Sequence, residues 1–205
     1  MPRTADHDQR RELMAQAFQR LLAAEGLAQV TFARVAAEAG ISVGLIQHYF
    51  ANKAALLRFS YEHCLRRIDA RIAAHVDAGE AAHAPISTML LSCLHELLPV
   101  DAERTVEFRV ERSLWTSACH DPALAQIARH ASLDTHRRVA RAIDNGKRCG
   151  EVESGIDTDA AAALILATTR GLADTLALGI AAKPDDLLRP VLATVFTGRC
   201  RHHDA

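Results

Sequence analysis

Residues 31–53 read TFARVAAEAGISVGLIQHYFANK. Two short helical segments are legible here, joined by Ala39-Gly40-Ile41-Ser42. The hydroxyls of Thr31 and Ser42 suit the residue before a helix, where a side-chain oxygen accepts from an otherwise unpaired amide. Gly40 permits a left-handed turn at no steric cost, and Ile41 fills the angle between the segments. The first segment buries Phe32 and Val35. The second buries Ile46 and Phe50, one turn apart. On a helical wheel Gly44, Leu45, Gln47 and His48 then oppose Ile46, with Val43 and Tyr49 at the flanks. An amide, an imidazole, an apolar contact and a residue without a side chain are what a helix needs to enter the major groove. Glutamine pairs with adenine, apolar groups meet thymine methyls, and glycine lets the backbones approach. Tyr49, Lys53 and the amide ends of the two helices are placed for phosphates. The candidate DNA contacts are therefore Thr31, Arg34, Ser42, Val43, Gly44, Leu45, Gln47, His48, Tyr49 and Lys53.

Outward from this stretch the helical period persists. Apolar residues recur at steps of three and four, and alternating strand patterns are almost absent. The first helix is expected from about His7 to Glu25, its apolar face formed by Leu13, Met14, Ala17, Phe18, Leu21 and Leu22, with Gly26 as its stop. Asn52 caps a long helix that stops near Gly79. Pro85 and Pro99 frame another, and Asp101 opens one reaching about Cys119. Asp121-Pro122 is a strong start signal for a helix running to about Gly146. Asp157 opens an Ala/Leu-rich helix to about Gly179, and Pro184-Asp185-Asp186 the last, in which Pro190 implies a kink or a later start. The expectation is an all-α chain of about nine helices. Residues 1–54 form a helix-turn-helix domain and residues 55–205 a helical ligand-binding and dimerisation domain.

The run from Glu25 to Leu57 closely resembles the DNA-binding domain of the tetracycline-repressor (TetR) family, through Gly26, Thr31, Val35-Ala36, Ala39-Gly40, Ser42, Gly44, His48-Tyr49-Phe50, Lys53 and Leu56. Gln47 stands where tyrosine is usual, so the base preference does not carry over. Gly44 to Phe50, with WTSACHDPALA at 115–125 and AAALILATTRGLAD at 161–174, is more similar to the betaine-pathway repressor branch. The resemblance implies an all-helical homodimer joined by its last two helices. It also implies an inducer pocket among the middle helices, whose ligand changes the separation of the two reading heads. The expected function is a transcriptional regulator, a repressor released from a palindromic operator by a small molecule. The rivals are an activator, a regulator without inducer, and a helical ligand carrier or enzyme with a vestigial head.

The bulk numbers agree with local rather than global DNA affinity. Net charge is -1 over 205 residues with 24% charged, so the chain has no overall basic excess and any phosphate affinity must be local. The five cysteines are widely spaced without C-x-x-C, which indicates reduced thiols rather than a disulfide framework. No apolar run is expected to cross a membrane, and Met1 to Asp6 has no signal-peptide core; a cytoplasmic protein is expected. The eleven histidines include a tail pair, His202-His203, but no cysteine or carboxylate completes a tetrahedral set by spacing. No phosphate loop or nucleophile elbow is present. No metal, cofactor or catalytic residue is therefore expected.

Two further sets stand out. Phe108, Arg112, Trp115 and Cys119 share a helix face. Large side chains are scarce in this chain, so Phe108, Arg112 and Trp115 are expected on the wall of an effector pocket within 55–148. The alternative is a structural arginine paired with an acid, its stem packed on Trp115. Ala161, Leu164, Thr168, Gly171, Leu172 and Thr175 form a small-and-apolar stripe that allows close helix approach. It serves a dimer interface, the chain's own core, or both.

Overall fold

The computed structural model describes residues 3–180 and 183–200; the His202-His203 tail lies outside them. Nine α-helices and one short 3-10 turn occur among the described residues, and no strand. They are α1 (Arg3–Glu25), α2 (Phe32–Ala39), α3 (Val43–Tyr49), α4 (Lys53–Ala81), α5 (Ile86–His95), α6 (Ala102–Ala118), α7 (Pro122–Cys149), α8 (Thr158–Ala177) and α9 (Pro184–Ala193), with the 3-10 turn at Leu27–Gln29. The chain divides into two compact units, Met1–Arg67 with Thr105–Arg129, and Ile68–Arg104 with His130–Ala205.

In the first unit Met14, Phe18, Val35, Ile46, Leu56 and Leu114 are buried. Leu13, expected on the apolar face of α1, is exposed; Ala15 and Gln19 are buried instead. The buried Gln19 is satisfied from α4, donating to the Ser60 carbonyl at 3.0 Å and to the Cys64 sulfur at 3.3 Å. Since a buried amide must find partners, this pair fixes α1 against α4. A polar residue at that position hid the true face from a reading by hydrophobicity.

In the second unit Leu94, Leu98, Ile143, Ile165 and Leu188 are fully buried. Glu96 gathers Arg71 at 2.5 Å, Arg104 at 2.5 Å and His75 at 2.9 Å. Burial alone would raise the Glu96 carboxyl; hydrogen bonds from Arg104, His75 and Arg71 outweigh it and bring the pKa down to about 2. Helix α5 has no cap of its own at Pro85. Glu151 supplies one from far along the chain, accepting from the amides of Ile86 (2.7 Å) and Ser87 (3.1 Å) and from the Ser87 hydroxyl (3.0 Å).

Two expectations need correction here. Helix α9 does not start late: it opens at Pro184 and continues through Pro190 to Ala193. The amide that proline lacks would have bonded the carbonyl of Asp186, which is exposed and can turn to water. Helix α8, by length and composition, is long and apolar enough to cross a membrane. Its apolarity belongs to a packed helix: Ala162, Ile165, Leu166, Leu172 and Ala173 are buried in the second unit.

Candidate DNA-reading site

The reading head is built by caps and one glycine. Thr31 Oγ1 accepts from the Arg34 amide at 3.3 Å, and Ser42 Oγ from the Leu45 amide at 3.2 Å, so both hydroxyls occupy the places the sequence assigned. Gly40 closes α2 with φ 67, and the Ile41 amide returns to the Ala36 carbonyl at 2.9 Å. Ile46 has no exposed surface and Phe50 almost none. That anchors one face of α3 and turns the other outward: Val43, Gly44, Gln47 and His48 are exposed, and Leu45 and Tyr49 half-buried.

Gly44 is informative because the fold does not require it. A Cβ built there would meet nothing within 4 Å. The missing side chain therefore serves no packing need of the protein, and the open space it leaves is on the outward face.

The supporting contacts were invisible to periodicity. The Tyr49 ring lies 4.3 Å from the His7 ring of α1 and 5.3 Å from that of His48, the latter edge-on. Arg11 of α1 lies over the rings of Phe59 (4.3 Å) and Phe50 (5.7 Å). Asn52 Oδ1 accepts from the Ala55 amide at 2.8 Å and caps α4. Lys53 Nζ donates to the carbonyls of Leu27 (2.9 Å) and Val30 (3.1 Å). Arg34 forms a bidentate ion pair with Glu25, and its hydrogen bonds hold the Glu25 carboxyl below its usual range. Thus two of the expected DNA contacts, Arg34 and Lys53, already have partners within the head.

Residues 16–58 match the family described as bacterial regulatory proteins, tetR family. Residues 87–196, more than half the chain, match the one described as BetI-type transcriptional repressor, C-terminal. The chain belongs to the TetR family. Among curated TetR-family relatives, the regulator PksA of Bacillus subtilis is 25% identical over 173 residues, 84% of this chain and 81% of PksA. The regulator BetI of Stenotrophomonas maltophilia is 27% identical over 130 residues, 63% of this chain and 64% of BetI. A transcriptional regulator from Rhodococcus sp. Rha1 superimposes with TM-score 0.74 at 26% identity, covering 90% of this chain and 92% of that one. A regulator from Saccharomonospora viridis, solved in complex with choline, has TM-score 0.77 at 20% identity over 90% and 94% of the two chains, which shows a shared fold. The protein is a TetR-family transcriptional regulator with a helix-turn-helix head.

The other candidate residues of this TetR-family chain are now located. Phe108, Arg112 and Trp115 stand on α6, all half-buried, in the same unit as the reading head. The Arg112 guanidinium lies 5.1 Å from the Phe108 ring centre and 5.6 Å from that of Trp115, so in this conformation it faces both rings. One turn away, Arg109 donates to the Ala23 carbonyl near the end of α1. The α8 stripe divides. Ala161 and Leu172 are buried within the chain, whereas Leu164 is 53% exposed and Gly171 is exposed beside half-buried Thr168 and Thr175.

Proposed function

We propose that this TetR-family regulator represses transcription as a cytoplasmic homodimer on a palindromic operator and leaves it when a small molecule binds. In this reading residues 1–54 read DNA, residues 55–205 receive effector and form the dimer, and the chain catalyses nothing. The observation that carries it is the outward face of α3, where Gln47 and His48 flank the space over Gly44 that no part of the protein fills. Gln47 reads a base edge through its amide, Leu45 and Val43 meet thymine methyls, and the N-terminal amides of α2 and α3 take phosphates with Thr31, Ser42 and Tyr49. Two symmetric copies of one reading helix require two symmetric half-sites. For the dimer, Leu164, Thr168, Gly171 and Thr175 lie at successive turns of α8, and Leu178, Ile180 and Leu187 are further exposed apolar side chains of the same unit. Ala161 and Leu172 would support that interface from behind.

For the effector, α6 offers two aromatic faces with a cation already over them. An anionic ligand would use Arg112 directly through charge-assisted hydrogen bonds. A quaternary ammonium, by analogy with the choline complex of the Saccharomonospora viridis regulator, would displace Arg112 from Trp115 and Phe108 and take the same ring faces. Either event moves α6, and Arg109 joins α6 to α1, which in turn holds Tyr49 and Phe50 through His7 and Arg11. The deciding experiment is a gel shift on fragments selected from genomic DNA, repeated on operator variants. Gln47→Ala should cost about 1–3 kcal/mol at one base position per half-site and relax the preference there. An unchanged ranking of operator variants would remove Gln47 as the reader.

A further inference from the structure

The turn that follows α7 and the segment that follows α9 bring together three groups that are remote in sequence. Cys149 Sγ, a carboxylate oxygen of Glu151 and Cys200 Sγ all lie within 4.8 Å of one another. Cys149 and Glu151 are buried and Cys200 is half-buried. The backbone fixes the arrangement. Gly198 donates its amide to the Glu151 carbonyl at 2.9 Å. A Cβ on Gly198 would stand 2.1 Å from the Gly150 carbonyl oxygen, a backbone atom that cannot swing aside. The two segments can meet this closely only because position 198 carries no side chain.

The carboxylate is oriented as well as buried. Glu151 Oε1 accepts from the Ile86 amide at 2.7 Å, and Oε2 from the Ser87 amide and hydroxyl. Oε1 has a second lone pair, and the Cys149 sulfur lies 3.4 Å from it. We propose that Cys149, Glu151 and Cys200 bind a thiophilic divalent cation of the zinc class, with the fourth position open to water. Two thiolates with one carboxylate are a donor set for zinc-like ions; magnesium and calcium take oxygen donors instead. As the cation enters, two thiol protons leave to solvent, so the net charge of the buried cluster is unchanged and nothing is oxidised or reduced.

The carboxylate also decides against the pair serving as a disulfide. Joining the two sulfurs would remove the thiol proton that lies within reach of both Oε1 and the Gly146 carbonyl, and leave a buried carboxylate oxygen against sulfur lone pairs. A cation puts positive charge at that point. With metal bound, the segment after α9 is tied to the end of α7 and, through Glu151, to the start of α5.

The test uses the full-length protein, reduced and then freed of reductant. Titration with Co2+ should give a saturable thiolate-to-cobalt charge-transfer absorption at one equivalent, discharged by Zn2+, and Zn2+ should raise the melting temperature. Cys200→Ser, at a half-buried position that leaves the core intact, should abolish the absorption. It should also weaken Zn2+ binding, in competition with a chromogenic chelator, by at least ~100-fold, the upper end of what losing even an outer partner costs. Gly198→Ala, which forces the two segments apart, should weaken binding without removing a ligand. Cys119→Ser, at an exposed cysteine, should change nothing. The proposal is overturned by the absence of a saturable band in the wild type or by a band that survives Cys200→Ser. Formation of a Cys149–Cys200 disulfide in air with Zn2+ present would overturn it too.

Discussion

A methyl group placed on Gly44 would meet nothing within 4 Å in the protein, so folding and DNA reading can be separated at this residue. Gly44→Ala should stabilise the free protein by about 0.5–1 kcal/mol, since glycine is a poor helix former at an exposed position. The same variant should bind operator more weakly, because the methyl would stand where the proposed reading mode brings the DNA. Differential scanning calorimetry and a gel shift on one preparation check the two opposite signs together; weaker folding with unchanged binding would contradict the assignment. Lys53 is the converse. Two of its three N–H donors go to the carbonyls of Leu27 and Val30, leaving one for a phosphate. Lys53→Met should therefore lower stability by about 1–3 kcal/mol, as expected for lost charged hydrogen bonds. It should also reduce the salt dependence of DNA binding by at most one counterion. A flattened salt slope with unaltered melting would mean the carbonyl contacts carry no weight.

At the scale of elements, Glu96 ties α4, the end of α5 and the start of α6 by hydrogen bonds from Arg71, His75 and Arg104. Its folded pKa of about 2 lies below the ordinary 4.5. Its contribution to stability is therefore complete above that ordinary value and is lost as pH falls from 4.5 towards 2. Glu96→Gln should cost about 3 kcal/mol, since it leaves the facing cations with a neutral partner. It should also flatten the acid limb of a urea-midpoint-against-pH curve; an acid limb as steep as the wild type's would place the titration elsewhere. Helix termini were legible in the sequence wherever a local residue makes them, as Thr31, Gly40, Ser42 and Asn52 do. They were not legible where a distant residue does: nothing near Pro85 announces that Glu151 caps α5. The outward face of α3 was readable because burial of Ile46 and Phe50 dictates it. The props behind that face, His7 on Tyr49 and Arg11 on Phe50, depend on where α1 lies, and no periodicity carries that. Cys149 and Cys200 stayed apart in the reading for the same reason, since only the backbone approach of Gly198 to Gly150 brings them together.

At the scale of the whole molecule, a Cβ on Gly171 would also meet nothing in its own chain. If the proposed dimer packs on this face, Gly171→Leu should leave the protomer folded and act only where a second copy packs, splitting or distorting that dimer by overpacking. Sedimentation equilibrium checks this, and an unchanged dimer mass with unchanged melting would move the interface off this face of α8. The proposed effector site is tested by Trp115 fluorescence during titration with choline and with a carboxylate such as acetate, with and without operator. Arg112→Ala should abolish the response to an anion and preserve or strengthen that to a cation. A cation whose response is lost with Arg112 would reverse the proposed displacement. The proposed reading helix is only Val43–Tyr49, about two turns, far below the length at which a helix holds its shape alone in water. It therefore has no reserve of its own and borrows its order from α1 and α2 through Ile46, Tyr49 and Phe50. Warming should blunt operator binding before the rest of the protein melts, and gel shifts at rising temperature set beside a thermal melt check this.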